Sequence, residues 1–557
     1  MLARRRDGRP TGPDPIAAPQ ALSLRHEPKA DVARYDTYRG PEPGFAEQVH
    51  YMELLGEGPK GETLTMGPGE DYQLFATGAQ GENADGGMTL KQPQSPRPSW
   101  LYYITVASVD TSLARIDITA SQSVWDGLQA GAPTTVEGSV NVRFRHGDID
   151  VTVTNVGISA RGNTSLTKYA RSFNISFNSF VPGQNLFGIE KLNLNSEVND
   201  PSTARSKLSF DLHQAAGLPT PYANHVATVI TGPNNHRSGP NGLFFDAVLN
   251  NTQPVDDVFI KQRFTNSRGN LYKCTYTGAG PANLTYKGPT GSSYSGLSTY
   301  ELKYQGSTDA SFNDLGSFIN LVNNTPSNTF PSVIRRNFEV DDFLKRLALD
   351  VLTSNWDGHW GNWNNFHLYR DPGSGKWHYI PYDMDNTFSI RWITPSSGDW
   401  ATQNIYNWGK TTDTPLVTRI MSVPEFKNRY TYYLNQMLQS FYQNSALNPL
   451  VYRIRQNQTA ALPFDNLGIT NCKSAERSRY SGDWPNWTYT QYSNSFDRAQ
   501  VSFNAKVPNY HGITEFITAR RTNALNQLTN QDPRRLLLPI GYAEKIKSGE
   551  IEVPTAP

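Results

Sequence analysis

The 557 residues suffice for one large core or for two or three domains, and the charges nearly cancel, with 51 Lys and Arg against 50 Asp and Glu. A formal net charge of +1 excludes a long-range electrostatic pull toward nucleic acid or an anionic membrane surface. Charged residues make up only 18% of the chain, so Asn, Ser, Thr, Gln and Tyr supply much of the polar surface, as is common in secreted, cell-surface and virion proteins.

Residues 1–45 are rich in Pro, Arg, Gly and Ala and read as an arm that is flexible or held by a partner. The basic start is followed by no apolar run, so no secretory signal is visible, and a coat, virion-surface or other extracytoplasmic location is expected over a cytoplasmic one. Residues 46–111 alternate Gly-rich turns with short β-prone runs and read as a β-rich accessory region.

From 112 the pattern changes. Alternation in Ala114-Arg-Ile-Asp-Ile-Thr predicts a strand. Val140-Asn-Val-Arg-Phe-Arg leads through His146-Gly-Asp into Ile149-Asp-Val-Thr-Val-Thr and predicts a hairpin. A helix is expected at 202–216, capped by Ser202 or Thr203, and 280–300 reads as loop. Phe343, Leu344, Leu347, Ala348, Val351 and Leu352 share one face of a helix at 341–353, with Asp341 as its N-cap. After 395 the chain turns helical, with apolar stripes from Phe426 to Phe441 and from Phe516 to Leu528. The domain proper is thus read as 112–395, with 396–528 as its helical C-terminal part and 529–557 as a tail.

No run approaches eighteen consecutive apolar residues, so no membrane-spanning helix is expected. Cys274 and Cys472 have no zinc-finger spacing and form either one disulfide or two isolated thiols. Gly409-Lys-Thr lacks the upstream glycine of a phosphate-binding loop, and no nucleophile elbow occurs.

The segment from Asn355 to Phe388 carries the chemistry. A helix end is followed by a polar loop, a strand (Phe366 to Tyr369), a Pro-Gly turn, a second strand (Trp377 to Pro381) and the pair Asp383-Met-Asp385. A hairpin brings its ends together, so Asp357 and Asn362 at its entrance meet Asp383 and Asp385 at its exit. Clustered carboxylates repel one another unless a proton or cation lies between them. Oxygen ligands of this kind suit Mg²⁺. Asp357-x4-Asn362 followed by Asp383-Met-Asp385 parallels the catalytic and metal-binding loops of phosphoryl transfer. Asn365 competes with Asn362 for the metal, and the residues leave that choice open. His359, His367 and His378 share no ligand face and read as bland polar histidines. The cluster Trp356, Trp360 and Trp363 reads as packing rather than a sugar platform.

On these residues the chain resembles the CotH kinase family, named for a bacterial spore-coat protein, over most of 112–528. Arg161-Gly-Asn-Thr-Ser is similar to the family's RGNSS. Ser202-Thr-Ala-Arg-Ser-Lys-Leu-Ser-Phe-Asp-Leu is similar to its R-x-K-L-x-x-D-L helix, and Gly269-Asn-Leu-Tyr-Lys to its GNLYK. The Asn355-Trp-Asp to Asp-Met-Asp-Asn-Thr-Phe block is similar to its NWD…DfDnaFG. The departures are a lysine-free strand at Tyr169 to Phe177, no clean match in Gly242-Leu-Phe-Phe-Asp-Ala-Val for the acidic residue the family shows after its G-x-Y-x-L strand, and Ser389 where the family has Gly.

The resemblance implies an α+β, atypical protein-kinase-like two-lobed domain with a helical C-terminal extension and an N-terminal β-rich accessory region. It implies ATP and Mg²⁺ as cofactors and transfer of phosphate to Ser or Thr of a partner protein. Carried over, Asp357 takes the catalytic position and Asp383 and Asp385 the metal motif, with Asn362 or Asn365. Arg161, Gly162 and Asn163 would lie near the nucleotide phosphates, and Lys207 either contacts phosphate or is a structural helix cation. The alternative is a catalytically inactive kinase-like structural or assembly protein of a spore coat, virion or cell surface.

Overall fold

The computed structural model describes residues 22–26, 62–66, 113–128, 137–147, 149–162, 166, 171–232, 243–390, 399–409, 412–461, 489–497 and 511–528. Of the arm and accessory region these include only β1 (Leu22–His26) and β2 (Glu62–Met66), which pair antiparallel. The rest of both segments, the tail 529–557, and Asn163 and Cys472 lie outside the described residues. Two compact units are present. The first comprises the chain to Ala215, Pro219–Thr265 and Ser445–Thr514. The second comprises Ala216–Leu218, Asn266–Asn444 and the chain from Glu515.

The first unit holds a closed barrel of β3 (Ala114–Thr119), β4 (Gly138–His146), β5 (Ile149–Arg161), β6 (Ser172–Ser176), β7 (Lys191–Asn195), β8 (Ala223–Thr231) and β9 (Leu243–Thr252), in the order β3-β4-β5-β6-β7-β9-β8. The parallel pairing of β3 with β8 closes it, and the other neighbours are antiparallel. Side chains alternate across each strand. Ile116, Ile118, Val142, Phe144, Ile158, Phe173, Ile175, Leu192 and Leu194 fill one core. Arg115 and Arg145 share Asp117, and Arg143 meets Asp150, on exposed or half-buried positions. A register shift between Val140 and Val142 accompanies Asn155 at φ 55, a bulge in the pairing of β4 with β5. The α+β class matches the expectation, whereas the closed ring was not foreseen. Alternation marks a half-buried strand but leaves unstated which distant strands share an edge.

The second unit carries a sheet of β10 (Asn270–Cys274), β11 (Tyr300–Gln305), β12 (Phe366–Arg370) and β13 (Trp377–Pro381), antiparallel in the order β11-β10-β12-β13. Helices Asn313–Asn324, Phe330–Asn337, Val340–Thr353, Pro415–Ser422 and Pro424–Ser440 accompany it. Val340–Thr353 packs against β13 and against Pro424–Ser440. Phe318 stacks on Trp377, and Phe366 stacks nearly parallel on Tyr379 with ring centroids 4.8 Å apart. Asp341 is not the cap of its helix. Glu339 precedes the first turn, and Asp341 lies inside it, 2.5 Å from Arg429 and 2.9 Å from the Tyr433 hydroxyl. A tertiary cation and hydroxyl outcompeted the local backbone donors for this acid.

Gly269 shows why a glycine opens the GNLYK segment. A Cβ there would lie 1.8 Å from the Arg370 carbonyl oxygen. The next residue, Asn270, bonds the Asp309 carbonyl at 2.7 Å and accepts from Ser307 N–H at 3.2 Å. Among the described residues, no helix is long and apolar enough to cross a membrane.

Candidate active site

The site is built on the end of helix Val340–Thr353. Ser354 is left-handed at φ 54 and turns the chain out of the helix. The last carbonyls are met from distant positions. Arg520 Nε donates to Val351 O at 2.9 Å, the Tyr442 hydroxyl to Leu352 O at 2.6 Å, and Phe388 N–H to Thr353 O at 2.5 Å. Arg520 is fully buried, and burial pushes its pKa down to about 10. Trp356 Nε1 donates to Ile390 O at 2.6 Å, which fixes the start of the polar loop.

Asp357 follows. Its Oδ1 accepts from Asn362 Nδ2 at 2.7 Å and Asn364 Nδ2 at 3.2 Å. Its Oδ2 accepts from Asn365 Nδ2 at 3.1 Å and Asn386 Nδ2 at 3.3 Å. A carboxylate offers about four lone-pair sites, so these amides occupy them all. Since Asp357 only accepts, each asparagine turns its NH₂ inward. Burial pushes the Asp357 carboxyl up to about 6. The Asn362, Asn364 and Asn365 amides oppose that rise, and the neighbouring Asp383 charge adds to it.

The hairpin does what its spacing requires. Phe366 pairs with Pro381, and Tyr382 N–H donates to Asn365 O at 3.1 Å, so the acids after β13 return to the loop before β12. Asp383 is exposed at φ 53, Met384 is buried, and Asp385 is buried at 9% exposure. Asn386 Nδ2 also donates to Asp385 Oδ1 at 2.8 Å, linking that acid to Asp357 through one amide. Asn355 Nδ2 donates to Asp350 Oδ1 at 2.9 Å and lies 3.3 Å from Met384 Sδ. Six non-glycine residues between 354 and 389 have positive φ: Ser354, Trp363, Asn365, Asp383, Phe388 and Ser389. Such residues persist where surrounding structure dictates them, and they gather at functional sites. Ser389, at φ 69, explains why a glycine suits that position in the family pattern.

The structure therefore brings Asp357, Asn362, Asn365 and Asp385 together, with Asp383 close enough to act on Asp357. Both asparagines weighed for the metal donate to Asp357. Asn364 and Asn386 were missed. The asparagine-rich run was visible, but which amides face the acid depends on the left-handed turns at Trp363 and Asn365. Asp350 and Arg346, paired one helical turn apart, were also missed, as was Arg520, whose carbonyl partners are distant in the chain. Among the described residues no three His, Cys, Asp or Glu form a metal-holding group.

His359 is fully buried with its ring edge-on to Phe366, and burial pushes its pKa down to about 3. Burial likewise lowers His367 and His378. Trp356 and Trp360 are buried, and Trp360 packs edge-on against Trp408, so neither offers a sugar platform.

In the first unit, Arg161 ends β5 opposite Ser172, and Gly162 follows at φ 128, a conformation open to glycine and strained for other residues. Lys207 is buried on helix Arg205–Ala215 with its Nζ 2.8 and 2.6 Å from the two oxygens of Asp211. Arg205 meets Asp200 at 2.5 Å with both side chains fully buried. The lysine and aspartate of the R-x-K-L-x-x-D-L pattern are thus partners one helical turn apart.

The profile of the family described as CotH kinase protein matches residues 158–504, more than half of the chain. The chain is 27% identical to inner spore coat protein H of Bacillus subtilis over 298 residues, covering 53% of this chain and 75% of that protein. It is 23% identical to invasin CotH3 of Rhizopus delemar over 309 residues, covering 53% and 44% of the two chains. With invasin CotH2 of the same organism it is 22% identical over 324 residues, covering 58% and 52%. The chain thus spans about half the length of these invasins. With the ordered motifs and the acid site they build, this match leads to one conclusion: the chain belongs to the CotH kinase protein family.

Proposed function

We propose that this protein transfers the ATP γ-phosphoryl group to a Ser or Thr hydroxyl of a partner protein, with Mg²⁺. The observation that carries the reading is Asp357 held by amides on both oxygens and joined through Asn386 to Asp385. A fixed carboxylate can orient an acceptor hydroxyl. In the transfer, the bond from phosphorus to the ADP bridging oxygen breaks, a bond to the hydroxyl oxygen forms, and the hydroxyl proton leaves toward Asp357 or water. Occupied lone pairs mean that one amide yields as the hydroxyl arrives.

The donor set fits Mg²⁺. It is all oxygen, with Asp383 exposed and Asp385 beside it, and Mg²⁺ takes one or two carboxylates and completes its shell with phosphate oxygens and water. Asp383 and Asp385, with Asn362 or Asn365, would hold it, and the ion would supply charge neutralisation on the phosphates. The sequence of polar loop, hairpin and Asp-Met-Asp supports the kinase-like, two-lobed reading of the fold. The roles of Arg161, Gly162, Asn163 and Lys207 toward nucleotide rest on the resemblance alone.

A second reading, a catalytically inactive coat or surface assembly protein, is favoured by one observation. Lys207, the cation carried over for nucleotide, is already committed to Asp211, and β6 has no lysine to replace it. The names of the relatives, a spore coat protein and invasins, support a coat or surface location under either reading. Incubation with γ-labelled ATP and Mg²⁺ separates them. Transfer that is lost in Asp383→Ala supports the kinase. Absence of both transfer and an ATP-dependent thermal shift in the wild type leaves the assembly role.

A further inference from the structure

We propose that Asn386 is a positioning residue, a neutral spacer that holds the Asp357 and Asp385 carboxylates apart and leaves their charge available to a cation; the proposal rests on the phosphoryl-transfer reading above. Asn386 is buried, and its Nδ2 lies 3.3 Å from Asp357 Oδ2 and 2.8 Å from Asp385 Oδ1. Asn362, Asn364 and Asn365 donate to Asp357, whereas Asn386 donates to both acids. An amide nitrogen carries two N–H groups, so a single side chain can give each carboxylate a donor.

Two carboxylates in a partly dry space repel, and with nothing between them one takes up a proton. A Lys or Arg at 386 would relieve that repulsion while cancelling the charge that attracts a divalent ion. The amide relieves it without adding charge. Its place in the chain serves the same end. Asn386 directly follows Asp385, and Thr387 Oγ1 donates to Met384 O at 2.9 Å, which pins the short turn that presents the amide.

The test uses the full chain and Mn²⁺ as probe, followed by electron paramagnetic resonance. Asn386→Ala is expected to weaken Mn²⁺ binding roughly 10- to 100-fold, the usual effect of losing a residue that orients a metal ligand. It should lower kcat by a similar factor with KM for ATP little changed. Wild-type Mn²⁺ affinity in a folded Asn386→Ala protein overturns the proposal.

A melting cycle reads the spacing without any metal. Asn386→Ala should lower Tm, and adding Asp385→Asn should restore most of the loss, because one of the repelling charges is gone while the other amides on Asp357 keep their acceptor. Additive losses overturn the spacer role. If the wild type neither binds Mn²⁺ nor transfers phosphate, the phosphoryl-transfer reading falls and the melting cycle alone decides the role of Asn386.

Discussion

Asn355 Nδ2 lies 2.9 Å from Asp350 Oδ1, and Asn355 N–H lies 2.9 Å from Asp350 O, so one residue closes the end of helix Val340–Thr353 with both its side chain and its backbone. The same amide reaches Met384 Sδ at 3.3 Å, between the two acids proposed for the cation. The helix end and the Asp-Met-Asp turn are thereby held by a common side chain.

Asn355→Leu tests that coupling. It keeps the γ-branched shape and leaves a fully buried Asp350 oxygen without this donor, at a cost of about 1–3 kcal/mol. The measurement is the denaturant midpoint at constant m, and an unchanged midpoint would remove Asn355 from the coupling.

Arg346 and Asp350 form a buried ion pair at 2.9 Å, with 2% and 0% of their side chains exposed. The guanidinium carbon also lies 3.8 Å above the Tyr379 ring. Arg346→Met should cost about 3–5 kcal/mol because it strands a buried carboxylate. Arg346→Met combined with Asp350→Leu should recover much of that loss. Chemical denaturation of the two variants and the wild type checks the order.

Gly361 lies where a Cβ would fall 2.0 Å from the Trp356 carbonyl oxygen, a backbone atom that cannot swing away. Gly361→Ala should destabilise by about 1–3 kcal/mol and disturb the near-ultraviolet signal of the tryptophan cluster. At Gly296 the added Cβ meets nothing within 4 Å, so Gly296→Ala should stay within about 0.5 kcal/mol of wild type and serves as the control.

Asp256 caps helix Asp257–Arg263 by accepting from Val258 N at 3.1 Å and Phe259 N at 3.3 Å, and burial pushes its carboxyl up to about 6, with Asp257 adding to the rise. A raised carboxyl binds its proton more tightly folded than unfolded. Its penalty is therefore absent below the unfolded pKa of 3.8, grows as pH rises toward 6 and stays constant above. Asp256→Asn keeps an equally good cap without the charge. It should raise stability at pH 7 by about 1–2 kcal/mol, allowing for the partly buried setting, and by almost nothing near pH 3. Melting curves at the two pH values check the sign.

The strands of the hairpin were legible because two short β-prone runs flank a Pro-Gly turn, a local signal, and so were the helix at 341–353 and its apolar face. The register of Phe366 with Pro381 then followed from the length of the turn, which is why Asp357 and Asp385 were foreseen as neighbours. Asn362 and Asn365 were in view, yet their inward-facing amides were not. An amide has two different ends, and only the acid it meets decides which end turns inward. Asp341 misled for a related reason, because a cap and a tertiary ion pair demand the same residue type. Lys207 was open between a phosphate and a structural partner until Asp211 was found on the same helix face.

By itself the sequence determined the α+β class, the hairpin that carries the acids and the family signature, since all of these are written in short-range periodicity and ordered motifs. Tertiary structure alone decided the closure of the barrel, the capping of helix Val340–Thr353 by Arg520 and Tyr442, and the ring of amides around Asp357. Each of these joins residues far apart in the chain or turns on left-handed backbone at particular positions. Periodicity carries no information about either.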